Sequence, residues 1–176
     1  MKLLIIGKAR AGKDTLAEYF KKEFGFTFKS SSEMACEIFL FDKLKDKYGY
    51  KSIQECMDDR LNHRAEWFDL IQEYNTPNEA RLAKEILKRT NCYVGMRRKE
   101  ELEACKKQGV FDAIIWVDSR GDEDSSSITV SKEDADYIIE NNGTLKDFEA
   151  KAFWLFYKLA WKFGYKVPSE LSTDDN

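Results

Sequence analysis

The chain has 176 residues, enough for one domain with a real core, and 43% of them are hydrophobic. A net charge of −3 and a pI near 5.4 argue against a general nucleic-acid binder, whose affinity would rest on excess Lys and Arg. No apolar run approaches membrane-spanning length, and the start of the chain does not read as a signal peptide.

The first predicted element is a strand at residues 2–6, followed by a loop with unusual content. The apolar run ends in Gly7, then Lys8, Ala9, Arg10 and Ala11 lead to Gly12-Lys13-Asp14-Thr15 and an amphipathic helical pattern. Glycines at this spacing let successive backbone N–H groups turn inward and line an anion nest. The following helix points its positive end at the same place. The pattern is the phosphate-binding loop G-x-x-x-x-G-K-[ST], with Asp14 where the hydroxyl residue is expected and Thr15 next. It predicts binding of a nucleoside triphosphate, with Lys13 as a mobile charge for the outer phosphates and a nearby hydroxyl for magnesium.

Helix one is expected over residues 12–24, with Leu16, Ala17, Phe20 and Phe24 on one face and Gly25 as its stop. Residues 26–28 alternate like a short strand, and Ser30-Ser31-Ser32 forms a turn and helix cap. Helical spacing covers residues 33–48, and one or two further helices cover 52–74. Thr76-Pro77-Asn78-Glu79 reads as a helix start with Thr76 as cap and Glu79 closing a capping box.

Residues 92–96 are a buried-strand candidate with Arg97-Arg98 at its end, followed by a helix over 99–108. Residues 113–117 form an unbroken β-forming run, as in a parallel strand covered on both faces. The polar stretch 119–131 suits a lid. A last strand is expected at 137–139, a turn at 141–143, and a final helix beginning at 144–147. That helix carries one apolar stripe and a second of Trp154, Tyr157 and Trp161, read as core packing with a dimer face as the alternative.

Strands alternating with helices imply a three-layer α/β domain with a parallel sheet of about five strands and helices on both faces. The expected domain spans residues 1–167, with a substrate-binding helical region at 30–75, a lid at 119–133 and a flexible tail at 168–176. Ligands of such sheets bind beyond the C-terminal strand ends, which brings the loops at 7–15, 29–33, 95–101, 118–131 and 140–143 together. Arg97, Arg64 and Arg120, with Arg60 nearby, are candidates to hold a second phosphorylated substrate and neutralise charge during transfer. Glu101 stands one helical turn from Arg97, either to orient it or as a plain surface pair. Asp118 ends a strand at the ligand edge, either for magnesium or as a turn cap; His63 reads as a partly exposed helix residue. Cys36, Cys56, Cys92 and Cys105 are widely spaced without C-x-x-C, so they read as reduced, mostly buried thiols of a cytoplasmic protein and not as a zinc site.

Residues 7–15, Gly-Lys-Ala-Arg-Ala-Gly-Lys-Asp-Thr, resemble the loop of phage-type deoxynucleoside monophosphate kinases, a branch of P-loop proteins that often carries Gly-Lys-Asp-Thr. Residues 93–102, with Arg97 and Glu101, resemble that family's strand-end arginine and following glutamate. Residues 135–145 resemble its closing strand and loop beside the ATP base. The resemblance implies transfer of a phosphoryl group from ATP, with Mg²⁺, to a (deoxy)nucleoside monophosphate. It implies that Lys13 holds the β- and γ-phosphates, Asp14 or Thr15 organises magnesium, and Arg97 and Arg64 grip the monophosphate. Arg120 would close from the lid, and Asn142 and Gly143 would lie near adenine. The family often has an aspartate where this chain has Gly95, so Asp14 is expected to take part of that role. A dephospho-coenzyme A kinase-like reaction and a non-catalytic nucleotide-binding regulator are the alternatives. Expected partners are a small nucleotide substrate and, through the last helix, a second copy of the chain; no nucleic acid or membrane is expected.

Overall fold

The computed structural model describes residues 1–119 and 128–167. Arg120, most of the expected lid and the tail at 168–176 lie outside the described residues.

The strands are β1 (Leu3–Ile6), β2 (Phe28–Ser30), β3 (Cys92–Val94), β4 (Ala113–Asp118) and β5 (Tyr137–Glu140). They form one parallel sheet in the order β2-β3-β1-β4-β5. Alternation along the strands divides the core in two. Leu4, Ile6, Tyr93, Ile114 and Trp116 face one side. Leu3, Ile5, Cys92, Val94, Ala113, Ile115 and Val117 face the other. A strand covered on both faces has no solvent side, which is why β1 and β4 read as unbroken apolar runs.

The second face is covered by α1 (Lys13–Phe24) and α8 (Leu145–Phe163). Phe156 of α8 stacks on Phe24 with ring centroids 3.9 Å apart and meets Phe20 and Phe26 edge-on. The first face carries the longer excursions of the chain. These are α2 (Ser31–Ala35), a π-helical stretch at Cys36–Leu40, α3 (Phe41–Tyr48), α4 (Ile53–Asp58), a 3₁₀ turn at Asp59–His63, α5 (Arg64–Asn75), α6 (Arg81–Leu87) and α7 (Lys99–Lys107). All four cysteines are free and buried. Among the described residues no helix is long and apolar enough to cross a membrane.

Three local readings need correction. The strand expected at 26–28 is β2 at Phe28–Ser30, because the Phe26 N–H closes the end of α1 on the Phe20 carbonyl and its ring enters the aromatic core. Thr76 does not start a helix: its hydroxyl donates to the Gln72 carbonyl at the end of α5, and α6 begins only at Arg81. Donors at that start are met neither by Thr76 nor by Glu79: the Leu82 N–H goes to Asn75 Oδ1 at 3.0 Å and the Ala80 N–H to Asn78 Oδ1. Glu79 instead pairs with Arg98 at 3.0 Å. The second stripe of α8 is not core: Trp154 is 71% and Trp161 91% exposed, while Tyr157 is half-buried against Phe24 and Phe153. Thr144 and Asp147 do form the reciprocal cap that opens α8.

These contacts separate the two kinds of aromatic residue on α8. Phe156→Ala is expected to destabilise the fold by about 3–5 kcal/mol, whereas Trp161→Ala should change stability by less than about 0.5 kcal/mol. Urea unfolding of the two variants measures both.

Candidate functional site

The site grows from the end of β1. A Cβ at Gly7 would lie 2.7 Å from the Val117 carbonyl oxygen, so the loop leaves the sheet too close to β4 for any side chain. Gly12 has φ +99°, and a Cβ there would collide with the Asn141 side-chain amide. That amide donates to the Ala11 carbonyl at 2.9 Å, and the Asn141 N–H donates to the Asp118 carbonyl at 2.6 Å. Asn141 therefore ties the glycine loop to the ends of β4 and β5. Lys13 reaches back across the loop and donates to the Lys8 carbonyl at 2.6 Å.

Beside this loop is a cavity of about 230 Å³ lined by Gly7, Ala9, Arg10, Lys13 and Asp14 on one side and by Ser30, Arg60 and Arg97 among others on the opposite side. Asp14 faces it; Thr15 is exposed and is not part of its wall. Among the described residues no group of three or more His, Cys, Asp or Glu side chains gathers as a metal site. A single carboxylate beside a phosphate-sized space is nevertheless a donor set that fits Mg²⁺, which keeps several waters and takes phosphate oxygens as further ligands. Gly95 lines the same cavity, and a Cβ there would meet nothing within 4 Å.

A second cavity of about 470 Å³ adjoins the first. Ser31, Ser32, Arg60, Gly95 and Arg97 line both, so the two spaces share a wall. The larger one extends under α5, between Arg64, Trp67 and Phe68 on that helix and Tyr93, Arg98 and Glu101 on the sheet side. Positive charge is concentrated at the junction. Burial depresses the Arg60 pKa, and the Arg64 and Arg97 charges lower it further. Among the described residues neither Arg60 nor Arg64 has a carboxylate at salt-bridge distance, and Arg60 lies over the Trp67 ring at 6.0 Å. Three guanidinium groups crowded at one wall form a site for an anion.

Arg60 is held there by a network on its own turn. Asp59 accepts from the Tyr50 hydroxyl and from Asn62 Nδ2, both at 2.6 Å, and lies 3.0 Å from His63 Nε2. His63 stacks on Tyr48 with centroids 4.0 Å apart, so it belongs to the scaffold of the turn.

Glu101 is only 5% exposed and accepts from the Tyr93 hydroxyl at 3.1 Å. It sits against Tyr93 rather than pairing with Arg97, the contact its spacing suggested. Burial lifts its carboxyl to about 7, while the Tyr93 bond and the Arg98 charge pull it partly back. Asp118 contributes its carbonyl to Asn141, and its carboxylate lies 3.9 Å from Lys132. Asn142 and Gly143 are exposed beyond β5, next to the Asn141 that braces the loop.

The fold as a whole has counterparts among solved structures. A gluconokinase from Sinorhizobium meliloti 1021 superposes with a TM-score of 0.53 at 12% identity, covering 93% of this chain and 95% of the other. A dephospho-CoA kinase from Campylobacter jejuni gives 0.53 at 14% identity, covering 90% of this chain and 96% of the other. The chain shares the fold of these two kinases, a five-stranded parallel sheet with helices on both faces. At these identities the likeness is one of architecture. The sequence matches no established family profile and no curated protein.

Of the residues singled out from sequence, the structure brings Gly7, Ala9, Arg10, Lys13, Asp14 and Arg97 to the smaller cavity and Arg64, Arg97 and Glu101 to the larger. Ala11 and Gly12 hold the loop's shape through Asn141. Sequence reasoning left Arg60 as a neighbour of Arg64 and did not single out Asn141, Trp67 or Asn75. The adjacent Asn141-Asn142-Gly143 turn was the one signal for Asn141; nothing local marks the others.

The buried Glu101 makes stability pH-dependent. Its folded pKa lies above the ordinary 4.5, so its stabilising contribution is full below that value and is lost as pH rises through about 7. Between about pH 5 and pH 8 the wild type should lose on the order of 2 kcal/mol relative to Glu101→Gln. Urea midpoints of both proteins at the two pH values test this; parallel pH profiles would contradict it.

Proposed function

We propose that the protein is an ATP-dependent kinase that phosphorylates a (deoxy)nucleoside monophosphate. The observation that carries this reading is the shared wall of arginines between a phosphate-loop cavity and a larger, aromatic-lined cavity. An acceptor that brings its own negative charge to Arg60, Arg64 and Arg97 would relieve the repulsion at Arg60, and an uncharged hydroxyl acceptor would not. Trp67, Phe68 and Tyr93 add faces suited to a planar base.

The chemistry asks little more of the protein. An oxygen of the acceptor phosphate forms a bond to the γ-phosphorus of ATP, and the bond from that phosphorus to the β–γ bridging oxygen breaks, releasing ADP. The acceptor phosphate has its second pKa near 6, so at neutral pH its oxygens are already nucleophilic and no general base is required. Lys13 and the loop N–H groups would hold the outer phosphates of ATP, and Arg97 and Arg60 would neutralise charge on the transferring group. Asp14 would hold Mg²⁺, which supplies further charge neutralisation when bound. Asn142 and Gly143 would border the adenine, and Arg120, outside the described residues, keeps the lid role that the resemblance implies. In this reading residues 30–75 form the substrate-binding region, and the homodimer through α8 is a separate proposal resting on exposed Trp154 and Trp161.

A coupled ADP-release assay with ATP, Mg²⁺ and a panel of nucleoside monophosphates is the direct test. Lys13→Ala should lower kcat at least about 100-fold. Arg60→Ala should raise KM for the acceptor about 10-fold or more with a smaller effect on KM for ATP. Asp14→Ala should weaken the dependence of turnover on Mg²⁺; an unchanged Mg²⁺ profile would remove Asp14 from that role. Turnover of dephospho-coenzyme A with none on any monophosphate would overturn the acceptor assignment, and ATP binding without turnover on any acceptor would favour a regulator.

A further inference from the structure

The deep end of the larger cavity holds polar groups that the phosphoryl-transfer reading does not use. Asn75 is fully buried on the wall of that cavity. Its Oδ1 is committed to the Leu82 N–H at 3.0 Å, which fixes the amide orientation, and its Nδ2 has no hydrogen-bond partner. Trp67 lines the same cavity, is 2% exposed, and its indole Nε1 also lacks a partner. A buried donor without a partner typically costs about 1–3 kcal/mol, so two in one cavity call for an acceptor that arrives with the ligand. Glu101 lines the cavity as well, with Oε1 already engaged by the Tyr93 hydroxyl and Oε2 free of any hydrogen bond among the described residues.

The donor and acceptor pattern is therefore asymmetric: N–H donors from Asn75 and Trp67, and a carboxyl oxygen from Glu101. A base edge that complements it presents a ring carbonyl next to a ring N–H. Guanine, hypoxanthine, uracil and thymine have that lactam edge. Adenine and the ring edge of cytosine present an amino group beside an unprotonated nitrogen, which sets donor against donor at Asn75 and, with the carboxylate ionised, acceptor against acceptor at Glu101.

We propose that Asn75 and Glu101 read the base of the acceptor and select bases with a lactam edge, Asn75 Nδ2 donating to the carbonyl and Glu101 accepting from the ring N–H. The selection rests on the nucleoside monophosphate kinase reading. Trp67 Nε1 is a second unpaired donor in the same cavity. Specificity of this kind is strong because the wrong base leaves buried polar groups unpaired on both partners.

Two pairs of substrates isolate the edge from base size: dIMP against dAMP, and dUMP against dCMP. In the full-length wild type, kcat/KM should favour the lactam member of each pair by about 100-fold or more. Glu101→Gln preserves shape and keeps an acceptor for the Tyr93 hydroxyl, but its amide can also donate; it should bring the preference within about 10-fold, mainly through KM for the acceptor. The wild-type pairs decide the matter even where the variant does not fold. Turnover of monophosphates with no preference, with a preference for dAMP and dCMP, or with a preference unchanged by Glu101→Gln would overturn the base-reading role and leave the kinase reading intact. Absence of turnover on these four and on every other nucleoside monophosphate of the panel would overturn the kinase reading and the base-reading role with it.

Discussion

A strand buried on both faces has no room for a polar side chain along its length. β1 meets this constraint with Leu3 and Ile5 on one face and Leu4 and Ile6 on the other, each without solvent exposure. Polar chemistry can then begin only where the strand stops. The same constraint acts on β3 and β4, so the charged and glycine-rich segments collect beyond one edge of the sheet. The parallel register, in which β3 and β4 flank β1, brings those segments side by side. The two cores have different tasks. Aromatic stacking between α1 and α8 makes one face a rigid base, while the other face carries the helical cover that surrounds the larger cavity.

The glycine loop depends on a neighbour as much as on its own sequence. Gly7 provides the close approach to Val117, and Gly12 leaves room for the Asn141 amide that holds Ala11. A loop tied at both ends keeps its N–H groups convergent before any anion arrives, which reduces the reorganisation a ligand must impose. The Lys13 contact with the Lys8 carbonyl gives the ammonium a place inside the same fold of chain.

At the larger cavity, crowding of like charges and burial of polar groups act in the same direction. Arg60 is set by the Asp59 network on a short 3₁₀ turn, Arg64 opens α5, and Arg97 ends the segment after β3. The Arg64 and Arg97 charges disfavour the charged form of Arg60, and an anion at that wall would offset this. Asn75, Trp67 and Glu101 lie in the same cavity with donors or a carboxyl left incompletely matched. Proteins retain such groups where a ligand completes them, because an apolar replacement would pack as well and avoid the penalty.

Local sequence carried the elements whose determinants are local. Residues 113–117 announced β4 by their unbroken β-forming run, Gly7 to Thr15 announced the phosphate loop by spacing, and the turn at 141–143 placed the start of α8 at 144–147. Reading failed where a side chain had a distant partner: Phe26 went to the aromatic core, Thr76 to the preceding helix and Glu79 to Arg98. Trp154 and Trp161 looked like core because hydrophobicity alone does not say which side of a helix has a neighbour. The sequence by itself determined the parallel α/β class, the phosphate loop and the strand-end Arg97, since each rests on periodicity or on spacing within a few residues. Only the tertiary structure decided that Arg60 and Arg64 meet Arg97, that Asn141 braces the loop, and that Asn75 and Glu101 line one cavity. Those residues are joined by the packing of α5 on α6 and on the Asp59–His63 turn and by strand order, and neither is written in any local pattern.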